Sequence, residues 1–480
     1  MILTDELLLY YQRCHRRTFL EVYGDQLHKT ISSEFYLRLQ RQRLTYQQSI
    51  QEQQIITTST PQYPRYKKGD WETGYNLTLE LMYQGVDTIS QGVLLSDSFA
   101  EHNITLIGTP DILIKQPGES IFGNWIYSPV NIYSSKKPKL EYKIISAYHI
   151  QLLSNMQEYW AENAWIIVRN ERTYQVDLWR VLPEMQSILN QCLEMLINQT
   201  EPDLFISKQL CSLCPWLNSC YKVAKEQKHL SLLPGVTPIR QKHLQKLNIT
   251  TLESLASLNP LYLQPELEAK IAEQLIRQAA SVLYNKVIIN PGLSNNNLPD
   301  SPIELYFDIE AQPDLNLDYL LGVLVVDHIN NTQVFYPCLA ENKEQEELAW
   351  IQFLELVEKY PNAPIYHFSP YEYDTVKRLA KLYNTEGERG RIILKRLIDL
   401  YEIITKTVTL PIEGYSLKAI ASWLGFKWRD EKANGSLCIC WYDDWLRTGD
   451  RSFLESILRY NEDDCIATFQ VKKQLSVIKS

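Results

Sequence analysis

Near the C-terminus, carboxylate and phenol side chains stand at spacings that chemistry can use. In "LYFDIEA", Asp308 and Glu310 lie two residues apart in an apolar, strand-like run. Residues i and i+2 of a strand share a face, so both carboxylates project to one side. Two like charges in such a strand are costly unless a cation neutralises them. In "LRYNEDDC", Tyr460 and Asp464 lie four apart in a helical context, which stacks phenol and carboxylate on one helix face. Each pattern alone also suits a solvated acidic surface, whereas together they suit a divalent-cation site. A second chemical feature is "CSLCPWLNSC", with thiols at Cys211, Cys214 and Cys220, one ligand short of four. That spacing suits a zinc site missing a ligand, or an iron–sulfur site with a distant fourth cysteine.

The elements that must position these groups divide into three blocks. Over 480 residues, 45% are hydrophobic and 22% charged, the composition of a globular chain with ample core. No apolar run reaches the ~18 residues of a membrane span. The start, "MILTDELLLYYQRC", lacks the basic region of a signal peptide, so a cytoplasmic location is expected. The nine cysteines are then expected to be thiols or metal ligands rather than disulfides. Residues 1–290 carry 28 Lys+Arg against 28 Asp+Glu, and residues 291–480 carry 20 against 29, so the net charge of −9 arises in the last block. A protein holding nucleic acid by charge alone should be basic, so the acidic block suggests carboxylates gathered for metal. Joints at "YKVAKEQKHLSLLPGVTP" and at the linker-like "NPGLSNNNLPDSP" (290–302) set the blocks at 1–225, 230–288 and 300–480. The first mixes helical pattern ("LYYQRCHRRTFLEVYG") with strand-like runs ("ITLIGTPDILIK", "NAWIIVRN", "TYQVDLW"), and the second is helical. In the third, the strands "IELYFDIEA", "LLGVLVVDH" and "TQVFYPCL" precede the helices "EQEELAWIQFLELVEKY", "YEYDTVKRLAKLY" and "SLKAIASWLGF". This order predicts an α/β domain on a mixed sheet.

A D-x-E first strand, an acid opening a middle helix and a late Y-x-x-x-D together resemble the tyrosine-type DnaQ-like 3′–5′ exonucleases, which have an RNase H-like fold. The middle acid is expected in "IYHFSPYEYDTVKRL", where Val376 and Leu379 set a phase that favours Glu372 over its rival Asp374. Glu372 departs from the Asp usual in the family. Asp399, in "RLIDLY", is a further acid that borders the site or serves the fold. The resemblance implies two Mg²⁺ or Mn²⁺ ions about 4 Å apart driving in-line phosphodiester hydrolysis. Asp308, Glu310, Glu372 and Asp464 would be the ligands, and Tyr460 would orient the attacking water.

One early cysteine, Cys14, followed about 200 residues later by C-x₂-C-x₅-C, resembles the RecB-family nucleases with an iron–sulfur staple. The resemblance implies a [4Fe–4S] cluster on Cys14, Cys211, Cys214 and Cys220, with zinc the second choice of metal and His15 a substitute ligand. Cys192, in an apolar helix, is expected to be a buried thiol. The family's PD-(D/E)xK motifs are only partly present. Asp111, in "LIGTPDILIK", fits the first acid and is expected on a strand. The acid-x-Lys position reads Asn131-Ile132-Tyr133, the later Gln and Tyr positions fall on Ile145 and His149, and the helix "FYLRLQRQRLTYQQ" lacks the His of many relatives. Glu141-Tyr142-Lys143, with Gln151 eight residues on, offers a substitute E-x-K, although "LEYK" reads as the start of a helix. A silenced or weak nuclease fold is the expectation.

"LSLLPGVTPIRQKHLQKLNITTLESLASLNP" resembles helix-hairpin-helix modules, which hold DNA backbone, here with Arg240, Lys242 and Lys246 near a helix start. A plain helical spacer is the alternative. The three parts together resemble putative RecB-family nucleases with a C-terminal RNase H-like exonuclease domain. The fold expected is α/β multidomain: a PD-(D/E)xK restriction-endonuclease-like domain, an all-α helix-hairpin-helix-like module and an RNase H-like mixed-sheet domain. The implied activity is metal-dependent 3′–5′ exonucleolysis of nucleic acid, with single-stranded DNA the first choice of substrate. A dual nuclease using Asp111, Glu141 and Lys143, and a non-catalytic nucleic-acid-binding protein, are the alternatives.

Overall fold

The computed structural model describes residues 1–31, 33–52, 60–99, 103–169, 171–291, 298–299 and 301–478. The expected linker at 290–302 lies largely outside them. The chain forms two compact units, Met1–Lys222 and Val223–Ser480, the helical stretch 230–288 being part of the second. Among the described residues no helix is long and apolar enough to cross a membrane.

The first unit is built on a five-stranded sheet in the order Thr88–Ser90, Ile112–Ser120, Gly123–Ile132, Trp165–Val168, Arg172–Gln175. Only the pair Gly123–Ile132 and Trp165–Val168 is parallel, and parallel neighbours need a crossover. The helix Leu140–Gln157 supplies it, and its apolar residues are buried almost throughout. A smaller sheet joins Ile2–Thr4, Ile104–Gly108 and Leu94–Phe99. Two readings of the sequence are corrected here. The run "ITLIGTPDILIK" is two strands in different sheets, and Asp111 lies in the turn before Ile112–Ser120 rather than on it. The helical pattern around residue 14 is two helices, Asp5–Arg13 and His15–Tyr23, separated by extended backbone at Cys14 (φ −160°, ψ 106°).

In the second unit the sheet order is Thr332–Leu339, Leu317–Asp327, Ile303–Gln312, Ile365–His367, Leu397–Asp399. The first three strands are antiparallel, and the last two run parallel to Ile303–Gln312. Alternation along the central strand sends Leu305, Phe307 and Ile309 into one core and Tyr306 into another. The second core is closed by the long helix Arg451–Ile478, through Cys465, Phe469 and Val471. Asp308 and Glu310 share the parity of Tyr306, so strand and last helix bring the two acidic motifs to one face. A buried ion pair fixes that docking. Lys472 Nζ lies 2.5 Å from Glu304 Oε1, and Glu304 also accepts from the Tyr306 hydroxyl at 2.6 Å and pairs with His328 Nε2 at 2.9 Å.

Candidate active site

One ligand atom from each of Asp308, Glu310 and Asp464 lies within 4.8 Å of the other two, and no other such trio of His, Cys, Asp or Glu is found among the described residues. The ladder to Leu317–Asp327 shifts register just after Glu310, a local break of the kind common beside active sites. Glu310 is 6% and Asp464 8% exposed. Burial raises the proton affinity of Asp308, and the charges of Asp464, Glu310 and Glu372 raise it further. Glu310 is raised in the same way, by burial and then by Asp464 and Glu372. Burial pushes Asp464 up to about 7 even though Trp428 and Tyr460 hydrogen bond to it. The Tyr460 phenol is itself raised far above its ordinary value, by burial and then by the three neighbouring carboxylates. Like charges gathered this closely, with Lys418 opposing the shift at Asp464, suit a divalent ion with oxygen ligands.

Residues missed at the level of sequence surround this cluster. Asn461 is fully buried, and its Nδ2 donates to Asp308 Oδ2 at 2.7 Å. A Cβ at Gly322, the strand residue paired with Asp308, would come within 1.7 Å of Asn461 Oδ1. A glycine inside the apolar run "LLGVLVVD" was a legible sign of such close approach. Trp428 donates its indole N–H to Asp464 Oδ1 at 2.7 Å. The next residue, Arg429, grips the two preceding acids: its Nε donates to Asp463 Oδ1 at 2.7 Å and its Nη2 to Glu462 Oε2 at 2.7 Å. Of the three acids in "NEDD", only Asp464 therefore joins the cluster.

Glu372 opens the helix Pro370–Leu382 and is 4% exposed. It accepts from Ser369 Oγ at 3.1 Å and lies 3.5 Å from His367 Nδ1. Its charge bears on Asp308 and Glu310, although it stands outside the closest trio. Its rival Asp374 is exposed. Asp399 does not join the carboxylates. Its Oδ1 accepts from Ser369 N at 3.0 Å and from Tyr401 N at 2.8 Å. It thereby caps one helix and holds Ser369 at φ +112° at the start of another, an unfavourable backbone for a non-glycine residue.

The first unit treats its acids differently. Asp111 Oδ1 accepts from Gln47 Nε2 at 2.6 Å and Oδ2 from the Ile132 amide at 2.6 Å. Burial raises its proton affinity, and the Arg43 guanidinium is the largest opposing influence. Asn131 donates to Ser146 Oγ at 2.8 Å, and Tyr133 stacks on Tyr142 with ring centroids 3.7 Å apart. Glu141 is in the first turn of Leu140–Gln157 and takes two bonds from Arg13, at 2.6 and 3.2 Å. Lys143 is half-buried one residue beyond Tyr142. His149 Nε2 lies 2.7 Å from Asp5 Oδ2, which also accepts from the Thr109 amide. Asp111 and Glu141 are thus engaged with internal partners, and Gln47, Arg43 and Asp5 are the residues that sequence reasoning missed.

Cys14, Cys211, Cys214 and Cys220 are free and half-buried in the first unit, and Cys192 is fully buried. Burial is the first cause raising Cys211, Cys214 (to about 11) and Cys220, and the charge of Cys14 bears on all three. Arg17 and Arg16, which follow Cys14 in sequence, oppose the shift at Cys214 and Cys220 respectively. His15 stacks on Tyr11 with centroids 4.1 Å apart. In the helical stretch, Thr237 caps Pro238–Lys246 and Thr251 caps Leu252–Ala256. Arg240 Nη1 donates to the Gly235 carbonyl at 2.7 Å, Lys246 lies 3.7 Å from Glu266, and Lys242 is exposed.

No curated protein matches the chain. Residues 305–476 match the RNase_H_2 family model of the RNase H superfamily. That span runs from the central strand to the last helix and includes every carboxylate of the cluster, so the second unit carries an RNase H-like domain, of the nuclease type that works with divalent metal on nucleic acid.

Proposed function

We propose that this domain is a two-metal 3′–5′ exonuclease acting on single-stranded DNA. The convergence of Asp308, Glu310 and Asp464 within 4.8 Å carries the reading. Asp308, Glu310, Glu372 and Asp464 would hold Mg²⁺ or Mn²⁺, which would supply water activation and charge neutralisation for phosphodiester hydrolysis. Asn461 keeps Asp308 in its rotamer, and Trp428 does the same for Asp464. Tyr460, hydrogen bonded to Asp464, presents a phenol that stays protonated near neutral pH. It orients the attacking water by donating or accepting one hydrogen bond. Purified protein with Mn²⁺ should shorten a 5′-labelled single strand into a ladder from its 3′ end, and activity that survives Asp308→Ala would exclude this site.

For the first unit we propose a PD-(D/E)xK-like platform without catalysis, and for the helical stretch of the second a backbone-holding module through Arg240, Lys242 and Lys246. Asp111 has both oxygens occupied by internal donors. We further propose that Cys14, Cys211, Cys214 and Cys220 hold a [4Fe–4S] cluster. The charge of Cys14 bears on the other three thiols, which supports a cluster shared by all four. Arg16 and Arg17 supply positive charge beside it. Iron and labile sulfide assays on anaerobically purified protein test this, and stoichiometric zinc in their place would refute it.

A further inference from the structure

Beside the carboxylates the second unit has a cavity of about 280 Å³, lined by Lys418, Ser422, Phe426, Lys427, Trp428 and Glu431. We propose that it is a subsite for one nucleotide of a single-stranded substrate, with the base against the aromatic wall and the phosphate met by lysine. The inference rests on the nuclease reading above and adds to it a place where the strand is gripped.

Four observations carry it. Phe426 and Trp428 meet edge to face, with centroids 4.8 Å apart and planes at 86°, which makes a rigid aromatic wall. Every base has a π-face, so such walls hold single strands irrespective of sequence. Lys418 Nζ lies 5.4 Å from the Trp428 ring centroid and is pinned there by the carbonyls of Glu431 (3.1 Å) and Ala433 (2.8 Å). Lys427 is exposed on the rim. These two ammonium groups stand together in a block that carries 20 basic against 29 acidic residues, where a phosphate chain would otherwise be repelled. Gly425, at φ +90°, turns the chain into the wall, and a Cβ there would meet nothing within 4 Å, so that side stays open. Finally, the indole that forms the wall donates its N–H to Asp464 at 2.7 Å. The cavity and the carboxylate cluster therefore share one side chain, Trp428.

The test uses the full chain and a single-stranded oligodeoxynucleotide carrying 5-iodouracil, with Ca²⁺ replacing Mg²⁺ so that the strand is not consumed. Irradiation should join the probe to the peptide that contains Phe426, and Phe426→Ala should abolish that adduct. With Mg²⁺ restored, Phe426→Ala and Lys427→Ala should each raise KM about tenfold, a stacked base being worth ~1–3 kcal/mol, and leave kcat nearly unchanged. Lys427 is exposed, so its variant tests the site even where Phe426→Ala disturbs packing. If wild type degrades the strand but the adduct maps elsewhere and both variants keep the wild-type KM, the subsite is refuted and the nuclease reading stands. That outcome would also fit a cavity that serves a peptide. If wild type neither binds nor cleaves the strand, both fall.

Discussion

Asp111, in the turn before a strand of the first unit, and Asp308, within the central strand of the second, are both pushed towards the protonated form by burial. Their surroundings then diverge. Around Asp111 the chain supplies the compensation: an amide, the Gln47 side chain and the Arg43 guanidinium. Around Asp308 it adds more of the same charge, from Asp464, Glu310 and Glu372. Glu304 shows that the second domain can supply a cation when a carboxylate is structural. Four residues from Asp308 on the same strand, Glu304 is matched by buried Lys472. Leaving Asp308, Glu310 and Asp464 unmatched is costly in isolation, and the cost falls when a divalent ion enters. Compensation from within marks an acid held by the fold, and the like charge gathered on Asp308 is what the metal-site proposal rests on.

The sharpest break of this contrast is paired substitution. Asp308→Ala should cut hydrolysis about a thousandfold, the several kcal/mol that metal-bound groups supply, whereas Asp111→Ala should leave kcat/KM as in wild type. Equal losses in the two variants would erase the distinction. Lys472→Met should cost about 3–5 kcal/mol in equilibrium unfolding, because it removes the buried cation from Glu304 and leaves that carboxylate to the more exposed His328. A loss below ~1 kcal/mol would mean that Glu304 is not held by that pair. Next come the supports. Asn461→Ala and Gly322→Ala should each weaken Mn²⁺ binding or activity about 10- to 100-fold by freeing or displacing the group on Asp308, and calorimetric Mn²⁺ titration reads this apart from catalysis.

The smallest effect is in pH. The carboxyl of Asp464 is raised in the folded protein to about 7, above its unfolded value of ~3.9. Its contribution to stability in metal-free protein is full below about pH 4 and is lost as pH rises through about 7. Metal-free Tm should therefore fall by a few degrees between about pH 5 and 8, and Mn²⁺ should restore it most at the alkaline end. A Tm that ignores Mn²⁺ at every pH would contradict a metal site here. For the paired acid Glu304 the sign is opposite. Its hydrogen bonds and its pairing with Lys472 outweigh burial and lower its pKa, so its contribution is lost as pH falls below about 4.

How much of this was legible differs by residue. Period-two alternation placed Asp308 and Glu310 on one face, and the phase of Val376 and Leu379 favoured Glu372, which is buried where Asp374 is exposed. Local periodicity carries such information because it depends only on neighbours in the chain. Asn461, Trp428 and Arg429 were invisible for the converse reason. Each acts by a contact 33 or more residues away in sequence, such as Asn461 on Asp308 or Arg429 on Glu462. The turn at Gly-Thr-Pro was read, but Asp111 fell one residue outside the strand assigned to it. The break at Cys14 was hidden within a helical pattern that continues on both sides of it.

By itself, then, the chain's order of residue types determined which groups could do chemistry, which face of an element carries them and where an acidic domain follows a thiol-bearing one. Only the tertiary structure decided which acids stay unpaired, because the compensating partners, Arg43 and Gln47 for Asp111 and Lys472 for Glu304, arrive from distant helices. An electrostatic role is set by the charges within a few ångströms, and those are chosen by packing, not by spacing along the chain.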